Sequence, residues 1–340
     1  MTTHHETDVV IIGAGPTGLF AVFECGMMKM RCHVVDVLDF TGGQCNALYP
    51  EKPIYDIPGF QGIAAQDLIS RLEEQAAPFD PVYHLGQQVV QVDKQDDASW
   101  CVTTSKGNKI SCKAVIIAAG CGAFGPNRPP LEGLEAYELS GSVAYMVGRK
   151  EAYRDKDIVI AGGGDSAVDW VLSLVDVAKT VSVVHRRPKF RCAPDSAEKL
   201  KQLAESDKVD LVIPYQLDSL KGENGVLEAV TVKDLDGKTR DLKADHLLPF
   251  YGLANELGPI AQWGLSLNKQ YIKVNPATCA TNIEGIFAIG DINSYEGKLK
   301  LIVCGFSEAA MAAHGAWQYV FPDQAYHFEH STSAGVPAAA

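Results

Sequence analysis

The sequence predicts an α/β protein made of two wound, parallel-sheet units, and three observations carry that prediction. The same strand–turn–helix device occurs twice, at residues 8–26 and 157–174. Each copy is followed by a second short apolar strand, one closing on Asp36 and the other on His185-Arg186-Arg187. Stretches rich in Gly and Pro or in turn residues, 121–130 and 251–255, mark where the chain crosses between units.

In the first copy, 8–12 (DVVII) is an apolar run that stops at glycine, the pattern of a buried strand. Gly13-Ala14-Gly15-Pro16-Thr17-Gly18 follows and opens a helix reaching about Gly26. In such a G-x-G-x-x-G turn the first glycine permits the tight bend, and the second lets a pyrophosphate approach bare backbone. The third lets helix and strand pack closely. Phosphate is expected at the helix N-terminus, where unpaired N–H groups point outward. Strand Cys32–Val35 then delivers Asp36, an acid about twenty residues past the glycines and suited to ribose hydroxyls.

The second copy has the same grammar with a different ending. Strand Asp157–Ala161 leads into Gly162, Gly164 and Ala167, with Asp165 and Ser166 at the helix start. The strand at 181–184 ends in His185, Arg186 and Arg187, with Arg191 close behind. Cationic groups at that place suit the 2′-phosphate of NADP rather than the bare ribose of NAD. Two unlike dinucleotides are therefore implied, and FAD plus NADPH is the simplest pair. Both copies fit Rossmann-like units.

At 340 residues the chain is long enough for two domains. Hydrophobic residues at 46% and charged ones at 21% are ordinary for a soluble globular protein. A formal net charge of −12 argues against general affinity for nucleic acid or anionic membranes. The opening MTTHHETDVV has no cationic or apolar leader, and no apolar run approaches membrane-spanning length, so neither a signal peptide nor a transmembrane helix is expected. Nine cysteines without regular spacing fit free thiols in a reducing cytoplasm, and no metal site is expected.

Along the remainder, 41–60 carries so many Gly and Pro residues that a long irregular loop is expected in place of helix or strand. Residues 67–77 read as a helix. The segments 88–93, Trp100–Thr104 and 110–113 read as a small antiparallel meander with a turn at 106–108. A buried strand at 114–119 ends at Gly120. In the second unit, Val226–Lys233, Thr239–Lys243 and 246–250 are strands, and 285–291 (GIFAIGD) is one more after the return crossing. A helix with small-residue faces is expected over about 303–319. The crossings are hinge candidates, with domain rotation expected about 121–130 and 250–256.

Beyond these patterns, the chain resembles the two-dinucleotide-fold flavoprotein reductases of the thioredoxin reductase type. Within them it is most similar to the ferredoxin/flavodoxin–NADP⁺ reductases built on that scaffold. The resemblance rests on the N-terminal fingerprint, TGGQCNALYPEKPIYDIPGF, AVIIAAG, GGGDSAVD with HRRPKFR, IFAIGD, and the tail EHSTS. It implies a three-layer ββα architecture in which the NADPH domain (125–251) is inserted in a discontinuous FAD domain (1–124 and 252–340). A C-terminal tail, 328–340, is implied to lie over the flavin. The FAD set so implied is Gly13, Gly15, Pro16, Thr17, Gly18, Asp36, Gln44, Tyr49, Val89, Phe124, Asp291 and Thr332. Tyr49, His330 and Thr332 are implied at the reactive ring, Gly42, Gly43 and Gly290 along the cofactor, and Asp56 near the ring's polar edge. A homodimer is also implied.

Thioredoxin reductases pass electrons through a C-x-x-C pair just before the NADPH glycine turn. Here that region, GSVAYMVGRKEAYRDKD (141–157), has no cysteine, and no C-x-x-C occurs elsewhere. Without two bondable sulfurs, electrons must leave the flavin directly. The expected activity is therefore reversible electron transfer from NADPH through FAD to ferredoxin or flavodoxin. Lys52, Lys298 and Lys300 are candidates for a locally basic docking face, because ferredoxins are typically acidic. The alternatives are reduction of another acceptor, such as rubredoxin or a quinone, and a non-catalytic redox sensor that binds both nucleotides.

Overall fold

Runs of buried aliphatic residues set the frame of this computed structural model, which describes residues 3–327 and 330–336. The chain forms two compact units, residues 1–124 with 255–340, and residues 125–254.

In the first unit five parallel strands stand in the order Ile286–Ala288, Ala114–Ile117, Val9–Ile12, Cys32–Val35, Val82–His84. The three innermost are buried on both faces, which is why their sequences are nearly unbroken hydrophobic runs. Alternation along each strand then assigns the two faces. Val9, Ile11, Val34, Ile116 and Phe287 pack on helices Pro16–Met27 and Ile302–Val320. The second helix presents Ala309, Ala312, Ala313 and Ala316, all fully buried, so it lies close to the sheet. Val10, Ile12, Val35, Val115 and Ile117 face the other way, onto Trp100, Val102 and Ile110 of an antiparallel meander. That meander is Val89–Lys94, Trp100–Thr104 and Lys109–Cys112, with His4–Glu6 added in parallel at its edge. The layers are meander, sheet and helices.

The second unit repeats the plan. Its parallel order is Asp210–Val212, Thr180–Val184, Asp157–Ala161, His246–Pro249. A hairpin-linked sheet of Gln216–Glu223, Val226–Lys233 and Thr239–Lys243 packs Leu227, Val230, Val232 and Leu242 against Val159, Ala161, Val184 and Leu247. Helix Asp165–Leu174 follows the first strand of this unit and buries Val168, Val171 and Leu174. Short strands at Ala123–Pro126 and Leu253–Glu256 carry the chain across. No helix among the described residues is long and apolar enough to cross a membrane.

One expectation is corrected, and one strand had no expectation. The loop at 41–60 contains a helix, Gln44–Leu48, and a two-residue strand, Pro53–Ile54, paired with Ile63–Ala64. Glycine and proline bracket that helix without entering it: Gly43 sits at its N-cap and the next proline is Pro50. Strand Gln216–Glu223 escapes a hydrophobic pattern because its sequence, QLDSLKGE, is mostly polar. Its partner Val226–Lys233 supplies the apolar face.

Phe287 is 2% exposed, and its ring fills the space opposite Gly315, where a Cβ would lie 2.6 Å from the ring edge. Phe287→Ala is expected to cost about 3–5 kcal/mol of stability, the range for emptying a buried aromatic site. Urea unfolding followed by far-UV circular dichroism measures it.

Candidate nucleotide-binding sites

The first unit holds a cleft at the C-terminal ends of its central strands, the usual ligand position in an open α/β sheet. Gly13, at φ +112°, turns the chain out of Val9–Ile12 and donates its N–H to Val35 O at 2.8 Å. A Cβ there would stand 2.3 Å from Ala118 O, and one at Gly18 would stand 1.9 Å from Gly13 O. Only glycine allows that approach. At Gly15, by contrast, a Cβ would meet nothing within 4 Å, so the backbone opens onto free space. Helix Pro16–Met27 starts there with no side-chain cap, and Pro16 fills the first turn where an N–H is not needed. A pyrophosphate fits this bare, uncapped helix start.

Asp36 stands at the cleft wall, 9% exposed, and accepts the Ala14 N–H at 2.6 Å and the Leu38 N–H at 2.8 Å. Burial raises its pKa, and the backbone donors oppose that rise. Gln44 and Tyr49 reach the cleft from the short helix and its end, which the Gly42 N–H ties to Ala14 O at 2.8 Å. Cys45 donates weakly to the Tyr49 hydroxyl at 3.8 Å. Burial pushes the Cys45 thiol up to about 11 and raises the Tyr49 phenol as well, so both are protonated at neutral pH.

Asp291 follows Gly290, whose N–H donates to Glu308 at 2.7 Å. Glu308, 1% exposed, also accepts from the Asn293 amide and the Tyr295 hydroxyl and pairs with Lys298. This carboxylate fixes the turn that brings Asp291 to the cleft. Thr17 is wedged between Gly290 and Gly305, either of which would crowd it with a Cβ.

Gly13, Gly15, Pro16, Thr17, Asp36, Gln44, Tyr49, Val89 and Asp291 are thus brought to one cleft. Gly18 lies behind it as a packing residue. His330 and Thr332 are exposed and do not line the cleft, and Phe328 and Glu329 lie outside the described residues. The same holds for the Phe124 side chain. The short helix Ser331–Ala334 has only small residues with which to dock. Lys298 is corrected as a docking cation: its side chain is 6% exposed and is committed to Glu308. Lys300 is exposed, lies over the Tyr271 ring at 3.5 Å and lines the cleft. Sequence reading missed Leu257, Pro259, Ile260 and Trp263, which form one wall. Trp263 Nε1 is buried without a hydrogen-bond partner. Trp263 is the one local signal, a large aromatic in a turn-rich stretch.

In the second unit Gly162 makes the equivalent bend at φ +152°, with a hypothetical Cβ 2.6 Å from Phe250 O and 3.0 Å from the Ala167 methyl. Gly164 faces open space and caps helix Asp165–Leu174 without a side-chain bond. Asp165 accepts the Ala193 N–H at 2.8 Å, which occupies one of its oxygens in holding the next helix start. His185 is 8% exposed: its ring lies against Gly163 and stacks on Phe190 at 5.0 Å. Burial first, then Arg191, Arg186 and Arg187, lower its pKa, so it shapes the loop as a neutral ring. Arg186, Arg187 and Arg191 are exposed, and the Arg191 N–H donates to Gly163 O at 2.6 Å. That bond brings the third cation back to the glycine turn.

A three-layer unit used twice, each time with a glycine turn opening on an uncapped helix, is the architecture of two-dinucleotide oxidoreductases. The chain belongs to the pyridine nucleotide-disulphide oxidoreductase family, whose signature matches residues 7–318. It is similar to proteins named ferredoxin–NADP reductase: that of Paramagnetospirillum magneticum is 62% identical over 98% of both chains, and that of Rickettsia rickettsii (strain Sheila Smith) is 55% identical over 97% of this chain and 96% of its own. Among solved structures, Lactococcus lactis thioredoxin reductase matches with a TM-score of 0.77 at 24% identity, covering 93% of this chain and 99% of its own. T. acidophilum thioredoxin reductase matches with a TM-score of 0.78 at 21% identity, over 92% of this chain and 98% of its own. At such identities the likeness speaks for the fold. All nine cysteines are free thiols.

Removing one partner of a buried ion pair strands the other. Glu308→Ala is accordingly expected to cost about 3–5 kcal/mol in urea unfolding, well above the cost at an exposed acid.

Proposed function

We infer that the chain is an FAD-dependent oxidoreductase that takes reducing equivalents from NADPH and passes electrons to ferredoxin, with flavodoxin as a second acceptor of the same kind. One observation carries the reading: two glycine cradles in one chain end differently, on buried Asp36 and on exposed arginines, with no cysteine pair in 141–157. The names of the relatives at 55–62% identity support it.

The first cleft suits FAD. The Gly15 backbone and the start of Pro16–Met27 hold its pyrophosphate, and Asp36 accepts from ribose hydroxyls. Tyr49, Gln44, Val89 and Asp291, which line the same cleft, would contact the remainder of the cofactor, with Tyr49 against its ring. When bound, FAD supplies the conversion between two-electron hydride chemistry and one-electron transfer. The second cradle suits NADPH: Gly164 and the start of Asp165–Leu174 take the pyrophosphate, and Arg186, Arg187 and Arg191 take the 2′-phosphate. The protein aligns and excludes water, and no side-chain acid or base is required for the transfer itself. With Cys45 held as a thiol, the sulfur at this cleft wall is not a nucleophile. The acidic chain reaches an acidic acceptor through a local basic face that includes Lys52 and Lys300.

Anaerobic stopped-flow mixing with NADPH should bleach the flavin absorbance rapidly, with NADH much slower, and added oxidised ferredoxin should restore the colour. A purified protein that stays colourless when given FAD overturns the reading. A charge-assisted hydrogen bond is worth about 1.5–3 kcal/mol. Arg186→Ala with Arg187→Ala should therefore raise KM for NADPH by at least about tenfold and leave KM for NADH nearly unchanged. Asp36→Ala should release FAD during gel filtration that the unaltered protein retains. Ferredoxin reduction should slow as ionic strength rises past about 0.1 M, where screening shortens to about 10 Å; a salt-independent rate rules out a basic docking face.

A further inference from the structure

Three imidazoles converge in the first unit. His33 and His84, 8% and 6% exposed, come from adjacent strands of the parallel sheet. By strand alternation His33 lies on the face that meets the meander, the face of Val35. His84 pairs with Val35 and shares that face. His5 comes from His4–Glu6, the edge strand of the meander itself. The His33 Nδ1 and His84 Nε2 atoms are 3.0 Å apart. The His5 ring stands edge-on to both, with centroids 5.6 Å and 4.9 Å away. One ring nitrogen from each histidine falls within 4.8 Å of the other two.

Elsewhere this interlayer is filled by aliphatic and aromatic side chains such as Val10, Ile12, Trp100, Val102 and Ile110. Three polar rings from three strands and two sheets stand in their place. We propose that His5, His33 and His84 form a binding site for one borderline divalent transition ion, with Zn²⁺ as its representative, that clips the N-terminal strand to the parallel sheet. The donor set is the reason for the class. It consists of imidazoles alone, which suit Zn²⁺, Ni²⁺ or Cu²⁺ and do not suit Mg²⁺ or Ca²⁺, the ions of oxygen ligands. Tetrahedral Zn–N bonds of about 2.0–2.1 Å place ligand nitrogens about 3.3 Å apart. Side-chain rotations of an ångström or so close the group to that spacing without moving the strands. The proton shared by His33 and His84 shifts to the far nitrogen of its own ring, so the metal meets neutral ligands and no net charge is lost. The fourth position is left to water.

The three-residue strand His4–Glu6 lies at a sheet edge and pairs with one neighbour only. A ligand that binds only the folded form stabilises it in proportion to the logarithm of its concentration over Kd. His84 also bears directly on the nucleotide cleft, because its carbonyl accepts the Asp36 N–H at 3.2 Å. The clip therefore braces the strand ends that carry Asp36.

The test uses the full-length, flavin-loaded protein, stripped with EDTA and exchanged into chelator-free buffer. Zinc chloride is titrated in by calorimetry, and bound metal is counted by atomic emission after desalting. One zinc per chain, with a Tm that rises on zinc addition, is the expected result. His5→Ala, at a half-exposed position, should weaken zinc binding by at least about tenfold and abolish the Tm rise. His4→Ala, whose ring bonds outward to Ser111 Oγ at 3.0 Å, should leave both unchanged. Circular dichroism of each metal-free variant establishes that it is folded. Absence of retained zinc in the unaltered protein overturns the proposal, as does a His5→Ala protein that binds as tightly as the parent. Loss of binding in His4→Ala equal to that in His5→Ala overturns it too, since a flexible terminal site would then be responsible.

Discussion

The close approach of a helix start to the strand that precedes it is the constraint from which the rest follows. At Gly18 a single methyl would come within 1.9 Å of Gly13 O, and in the second unit a Cβ at Gly162 would reach 3.0 Å from Ala167. Such contacts hold each helix N-terminus at the C-terminal edge of its sheet, where its free N–H groups meet whatever lies in the cleft. The second unit closes less tightly, because alanine stands where the first has glycine. Both share the device, so their difference in ligand must come from elsewhere.

It comes from charge placed under different degrees of burial. Asp36 is nearly enclosed and ties its oxygens to two backbone N–H groups, so its position is set before any ribose arrives. The arginines of the second unit are exposed, suited to a phosphate that stays partly solvated. Glu308 works at one remove: buried with Lys298 and three further donors, it fixes the Gly290 turn, and through it Asp291. No cysteine stands in 141–157 and no C-x-x-C pair occurs in the sequence, so the spacing of a dithiol relay is not present.

Elements whose pattern is set by burial were legible. Asp157–Ala161, Cys32–Val35, Trp100–Thr104, Val226–Lys233 and Thr239–Lys243 have the same bounds in the sequence reading and in the structure. The first four are largely apolar runs or alternations, whereas Thr239–Lys243 (TRDLK) buries Leu242 alone. Polar segments that borrow their apolar partner from elsewhere were not: Gln216–Glu223 gave no signal, and the helix Gln44–Leu48 falls in a stretch that reads as loop. The cleft was legible where a motif of fixed spacing carries it, Gly13 to Asp36, and illegible where distant segments contribute a wall, as at Leu257 to Trp263.

Sequence alone settled that two dinucleotide cradles exist, that one ends on an acid and the other on arginines, and that no dithiol stands between them. These are matters of local spacing, and spacing survives without coordinates. Only the tertiary structure decided which polar groups are enclosed. It turned Lys298 from a surface cation into the partner of Glu308, made His185 a packing ring, and drew His5, His33 and His84 together across two sheets. Enclosure depends on which layers face each other, and residues 5, 33 and 84 become neighbours only once the meander closes over the sheet.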